Sequence, residues 1–259
     1  MNIKIKKILS KKNKSKIICL TSYSKNISEI LDNLVDITLV GDSLGSVLYS
    51  FNTTKKVKLD MMIEHSKSVR QGVKKSLMVV DMPYNTYRNK REALLNAKKI
   101  IKLTKADAVK LEGGNKKIIK IIKFLKKNKI NVMGHLGILP QSQKGKFRYK
   151  GKTSLERKRL LEDAILLQNS GVFSIVLECI ETNLAKKITK ELKIPTIGIG
   201  SSVNCDGQVL VTDDLIGLNL TTIKFVKIFC NVRKNINQAV KKFIKEVKNK
   251  KYPSKKFSY

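Results

Sequence analysis

The chain has 259 residues, 42% of them hydrophobic, and sets 54 Lys and Arg against 20 Asp and Glu, a formal charge of +34. That length and apolar content suit one large domain with a full core and exclude global disorder, while the apolar runs fall far short of the roughly 20 residues a membrane helix needs. The charge would fit a nucleic-acid or anionic partner, but Arg, which makes bidentate phosphate and base contacts, numbers only seven and the Lys residues are spread along predicted helices, so no specific nucleic-acid role is expected.

Residues 1–16 alternate Ile and Lys with no continuous apolar stretch. They read as a basic N-terminal extension and not as a secretory signal, and a cytoplasmic location is the expectation. Short apolar runs then alternate with longer amphipathic ones. Strands are predicted at Ile17–Thr21, Ile37–Val40, Leu77–Asp81, Ala108–Glu112, Asn131–His135, Ser174–Glu178, Thr196–Gly200 and Gln208–Val211. Helices are predicted at Ile27–Asn33, Asp60–Gly72, Arg91–Thr104, Lys116–Lys127, Leu155–Ser170, Asn183–Leu192 and Asn235–Lys248. Eight strands with interleaved helices point to a single (β/α)8 barrel over residues 1–259, with a doubly wound open sheet as the alternative.

Cys19, Cys179, Cys205 and Cys230 have no C-x-x-C spacing, and the two histidines, His65 and His135, lie far apart in the sequence. A zinc site is therefore not expected.

In so acid-poor a chain the placement of carboxylates carries information. Asp42, Asp81, Glu112 and Glu178 each end an apolar run. In a barrel the C-terminal strand ends form the active face, so these acids share one mouth; the competing reading is that each caps the loop or helix after it. Asp42, Asp81 and Glu112 offer the oxygen ligands that Mg²⁺ prefers. Lys110 and Glu112 stand two apart and face the same side, so the ammonium either pairs with an anionic substrate or with a neighbouring carboxylate. Glu178 could act as general base on the carbon beside a carbonyl. His135 is either a substrate contact or a structural hydrogen-bonding group. Ser43 lies in Gly41-Asp42-Ser43-Leu44-Gly45, where glycine permits close backbone approach.

These residues belong to a longer series in fixed order. It runs Leu20-Thr21-Ser22-Tyr23, Leu39-Val40-Gly41-Asp42-Ser43-Leu44-Gly45, Val80-Asp81-Met82-Pro83 and Val109-Lys110-Leu111-Glu112-Gly113-Gly114. It continues through Gly134-His135-Leu136-Gly137, Pro140-Gln141-Ser142, Val176-Leu177-Glu178, Ile194-Pro195-Thr196-Ile197-Gly198-Ile199-Gly200 and Asp206-Gly207-Gln208-Val209-Leu210-Val211. From about Ile17 to Phe257 the chain resembles the ketopantoate hydroxymethyltransferase family. The resemblance implies a barrel of the pyruvate/phosphoenolpyruvate type, Mg²⁺ dependence, 3-methyl-2-oxobutanoate as substrate and 5,10-methylenetetrahydrofolate as one-carbon donor. It implies Asp42, Asp81 and Glu112 as metal-linked acids, directly or through water. Asp42, Ser43, Asp81 and Lys110 become substrate contacts, and Glu178 the proton acceptor. It further implies a homodecamer whose C-terminal helix makes subunit contacts. The chain departs from the family pattern at Ser24, where Asp is usual, near Ser50, where Gly is favoured, at Lys55-Lys56 and at Ser201-Ser202.

Overall fold

The computed structural model describes residues 2–142, 148–220 and 223–259. Eight parallel strands close into a barrel in chain order: β1 (Ile17–Thr21), β2 (Ile37–Val40), β3 (Leu77–Asp81), β4 (Ala108–Glu112), β5 (Val132–Gly137), β6 (Ser174–Glu178), β7 (Thr196–Ile199) and β8 (Gly207–Leu210), with β8 pairing back to β1. The open-sheet alternative is thereby excluded. Buried on both faces, these strands read in sequence as nearly continuous apolar runs, as parallel strands do.

Side-chain parity divides the barrel into two cores. Ile17, Cys19, Ile37, Leu39, Leu77, Val79, Ala108, Met133, Val176, Ile197 and Val209 pack together in the interior. The alternate residues, among them Val40, Met78, Val80, Val109, Leu111, Leu136, Ile175 and Leu177, pack outward with the helices. Those helices are α2 (Lys25–Leu31), α3 (Leu44–Tyr49), α4 (Leu59–Gly72), α5 (Lys90–Thr104), α6 (Lys116–Lys127), α7 (Ser154–Ser170) and α8 (Thr182–Glu191). In α6 the chain buries Ile118, Ile119, Ile121, Ile122 and Leu125 and turns its lysines to solvent, and Asn115 caps it by accepting from the N–H groups of Lys117 and Ile118. Short polar caps of this kind also start α5 at Asn89 and α7 at Thr153.

One feature of the barrel was not evident from periodicity. The basic N-terminal stretch contains a helix, α1 (Ile3–Ser10), whose Ile5 and Ile8 lie in the interior cluster at the N-terminal end of the barrel. Nearby, Lys12 Nζ sits 2.8 Å from Asp206 Oδ2, and Asp206 also accepts from the N–H of Thr196. No helix joins β7 to β8; the chain returns through the loop 200–206.

The chain gathers into two compact units, Met1–Val211 with the whole barrel and Thr212–Tyr259. The second contains α9 (Thr212–Leu215) and α10 (Val232–Lys248), with Asn231 capping α10. After α10, Tyr252 packs edge-on to Phe243 and lies near Phe257. Among the described residues no helix is long and apolar enough to cross a membrane.

Candidate active site

The parity that fills the barrel interior with Leu77 and Val79, then Ala108, then Met133, then Val176 continues to Asp81, Lys110, Glu112, His135 and Glu178 at the C-terminal ends. Strand register places them side by side: Asp81 pairs with Lys110, Glu112 with His135, and Glu178 with Gly137. Asp42 reaches the same mouth differently. It lies two residues beyond β2, in the turn leading to α3, where its N–H donates to Asp81 Oδ2 at 3.1 Å.

Two glycines make the close approach possible. A Cβ on Gly41 would stand 2.8 Å from Ser43 Oγ. Gly137 has φ +103, and a Cβ there would collide with the carbonyl oxygen of Glu178. Either substitution would push a site residue out of place.

The contacts form one connected cluster. Lys110 Nζ is 3.2 Å from Asp81 Oδ1, the neighbouring carboxylate. His135 sits between two acids, with Nδ1 3.5 Å from Glu112 Oε1 and Nε2 3.2 Å from Glu178 Oε2. Lys110 Nζ is also 3.4 Å from His135 Nδ1. Ser43 Oγ shares a hydrogen bond of 2.8 Å with the Tyr23 hydroxyl. Asp42, Asp81, Lys110, Glu112 and His135 are all buried; Glu178 is the most accessible of the acids, with 15% of its side chain exposed.

Burial of so many charges changes their proton affinities. Burial first, and then the charges of Asp81 and Glu112, push Asp42 up to about 8, against the pull of Lys110 and the Gln141 amide. Asp81 is raised by burial, which outweighs the lowering effect of Lys110 and of the Asp42 N–H. Burial works against the Lys110 ammonium, yet Asp81, Glu112 and Asp42 hold its pKa above the usual lysine value. For His135, burial and Lys110 favour the neutral ring, but Glu112 and Glu178 prevail and lift it to about 9.

The donor set fits a divalent cation. Four carboxyl groups share the mouth with the ammonium of Lys110 and the imidazole of His135, so oxygen donors outnumber the cationic groups there. One oxygen of each inner acid is tied by a donor: Asp42 Oδ2 by Gln141 Nε2, Asp81 Oδ2 by the Asp42 N–H and Glu112 Oε2 by the Gln141 N–H. Asp81 Oδ1 and Glu112 Oε1 are buried and take no hydrogen bond, each facing a cationic side chain, Lys110 at 3.2 Å and His135 at 3.5 Å. Buried acceptors left in this way are uncommon and suit a cation. Among the described residues no group of three or more His, Cys, Asp or Glu side chains could hold an ion alone. Asp42, Asp81 and Glu112 lie at one mouth, linked by the Asp42 N–H and by Gln141, and offer oxygen donors of the kind that hard divalent cations prefer.

Sequence reasoning passed over Gln141 and Tyr87. Gln141 stood in the motif Pro140-Gln141-Ser142, but a search for charged strand ends skips a neutral amide. Gln141 is buried and donates from Nε2 to Asp42 Oδ2 at 2.8 Å and to the Met82 carbonyl at 3.0 Å. The Tyr87 hydroxyl donates to Gln141 Oε1 at 2.5 Å. Nothing in the local sequence links positions 54 residues apart.

The family model described as ketopantoate hydroxymethyltransferase matches residues 2–255. A 3-methyl-2-oxobutanoate hydroxymethyltransferase of Pelagibacter ubique (strain HTCC1062) is 68% identical over 259 residues, all of both chains. One of Trichodesmium erythraeum (strain IMS101) is 45% identical over 258 residues, 98% of each chain. Among solved structures, a phosphonopyruvate hydrolase in complex with oxalate and Mg²⁺ superposes with a TM-score of 0.63 at 8% identity, covering 98% of this chain and 93% of its own. A 2,3-dimethylmalate lyase of the PEP mutase/isocitrate lyase superfamily gives 0.63 at 9% identity, over 98% and 87%. At that identity the solved structures speak for the barrel fold alone. The motif order, the match along nearly the whole chain and the close relatives agree: this chain belongs to the ketopantoate hydroxymethyltransferase family.

Proposed function

We propose that this enzyme transfers a hydroxymethyl group from 5,10-methylenetetrahydrofolate to 3-methyl-2-oxobutanoate, giving 2-dehydropantoate in pantothenate synthesis. The observation that carries the reading is the buried cluster in which Asp81 Oδ1 lies 3.2 Å from Lys110 Nζ and Glu112 Oε1 lies 3.5 Å from His135 Nδ1, neither oxygen taking a hydrogen bond, with Glu178 3.2 Å from the other ring nitrogen. The names of the close relatives support the substrate and the product class.

In this reading Asp81, Glu112 and Asp42, directly or through water, would hold Mg²⁺. When bound, the ion supplies Lewis-acid polarisation of the keto oxygen, worth several kcal/mol of charge stabilisation. Lys110 and Ser43, with Asp42 and Asp81 beside them, bind and orient the carboxylate and keto group of the 2-oxo acid. Glu178, the most open of the acids, takes the proton from C3, and the protonated His135 3.2 Å away holds its carboxylate in place. The C3 electron pair then forms a C–C bond to the methylene carbon as one of its two C–N bonds to the folate breaks, and water replaces the other nitrogen, supplying the hydroxyl while the nitrogens take up the protons. With one water consumed, the products are 2-dehydropantoate and tetrahydrofolate.

The assembly we propose is a homo-oligomer, a decamer as in the family resemblance. The support is α10, which exposes Ile236, Val240, Phe243, Ile244 and Val247 along one face at helical spacing.

The test is C3 proton exchange. Protein with Mg²⁺ in D₂O should replace the C3 proton of 3-methyl-2-oxobutanoate, read by proton NMR, and should form 2-dehydropantoate once the folate is added. Folded protein that does neither would remove the proposal.

A further inference from the structure

We propose that Gln141, held by Tyr87, is a positioning residue that selects which carboxylate oxygens of Asp42 and Glu112 are left free for the cation. This rests on the cation reading above.

Gln141 spends its hydrogen-bonding capacity on the site. Its backbone N–H donates to Glu112 Oε2 at 3.1 Å, and Nε2 donates to Asp42 Oδ2 and to the Met82 carbonyl. The Met82 carbonyl can only accept, so the atom facing it is the amide nitrogen and not the oxygen. That orientation turns Oε1 toward Tyr87, whose hydroxyl donates to it. A single neutral residue from the segment after β5 therefore fixes the turn after β2, the turn after β3 and the end of β4. Asp42 lies in the turn after β2 and Glu112 ends β4, and among the described residues Gln141 bonds to both, through its side chain and its backbone N–H.

The chemistry explains why an amide suits the position. A carboxylate there would repel Asp42, and an ammonium would neutralise charge that the cation needs. An amide supplies two directed donors and leaves the net charge unchanged. The amide takes Oδ2 of Asp42 while the backbone N–H takes Oε2 of Glu112, which leaves Oδ1 and Oε1; Glu112 Oε1 is one of two buried carboxylate oxygens with no hydrogen bond among the described residues. Groups that orient metal ligands in this way typically change ion affinity about 10- to 100-fold when removed. A residue that merely stapled loops together would change melting temperature and leave ion affinity intact.

The experiment measures Mn²⁺ affinity of the full-length protein by electron paramagnetic resonance, without substrate, alongside melting temperature. Gln141→Ala should weaken Mn²⁺ binding about 10- to 100-fold. Tyr87→Phe, which removes one hydroxyl and keeps the ring, should give a smaller loss in the same direction. On the Gln141→Ala background Tyr87→Phe should add nothing, because its effect passes through the amide. Unchanged Mn²⁺ affinity in both single variants would overturn the proposal, as would a Tyr87→Phe effect that persists in full on the Ala background. Wild-type protein that binds no Mn²⁺ would instead remove the cation reading, and this inference with it.

Discussion

His135 Nε2 stands 3.2 Å from Glu178 Oε2 while the other ring nitrogen stands 3.5 Å from Glu112 Oε1, so one imidazole joins the proposed base to a proposed metal-linked acid. The register that pairs Glu112 with His135 and Gly137 with Glu178 makes this bridge. Glu178→Gln should slow C3 exchange by about 10²- to 10⁴-fold, the range for losing a general base, with binding of 3-methyl-2-oxobutanoate still measurable by calorimetry. His135→Gln should slow exchange less, by roughly 10-fold, because it loosens the base without removing it. Equal exchange in wild type and Glu178→Gln would strip Glu178 of its role.

The N-terminal helix should contribute to stability far more than its lysine-rich sequence suggests. Ile5 and Ile8 are 1% and 2% exposed, whereas Ile3 is 81% exposed. Ile5→Ala and Ile8→Ala should each cost about 2–5 kcal/mol of unfolding free energy, and Ile3→Ala almost nothing. Urea denaturation of the three variants checks the ranking; equal values would mean that α1 does not close the barrel.

Asp32 supplies a pH-dependent term away from the site. Burial opposes its ionisation, but the backbone N–H groups of Ser76, Lys75 and Lys74 outweigh it and hold its carboxyl below the usual aspartate value. A depressed native pKa adds stability above the unfolded value near 4 and loses it as pH falls through the native value. Asp32→Asn should therefore cost about 1–3 kcal/mol at neutral pH, and the gap to wild type should narrow on acidification below about pH 4. A gap that stays constant from pH 7 to pH 3 would rule this out.

Two departures from the family pattern should be correctable. Ser50 ends α3 in a left-handed conformation, φ +53, which glycine adopts without strain. Ser24 sits at the N-cap of α2 without a capping side-chain hydrogen bond. Ser50→Gly should stabilise by about 1 kcal/mol and Ser24→Asp by about 0.5–1 kcal/mol. Calorimetric melting of each variant reads the gain, and a lowered melting temperature would contradict the local geometry.

Much of the architecture was legible because buried parallel strands and amphipathic helices leave strong local signals. The runs ending at Asp81, Glu112 and Glu178 are strands over the predicted residues. α3 was missed because six residues give too short a period to recognise. α1 was missed because lysines interrupt its apolar face, and only Ile5 and Ile8 show its helical spacing once the helix is seen.

The sequence by itself determined which acids reach the barrel mouth, because parity along a strand is a matter of covalent geometry: Lys110 and Glu112 must face the same way. Only the tertiary structure decided what each charge meets there. Closure of the barrel sets Lys110 against Asp81 and His135 between Glu112 and Glu178. It also brings Gln141 and Tyr87 from separate loops to fix the oxygens of Asp42 and Glu112. Hydrogen bonds depend on distance and direction in space, and residues far apart in sequence acquire both only when the chain folds.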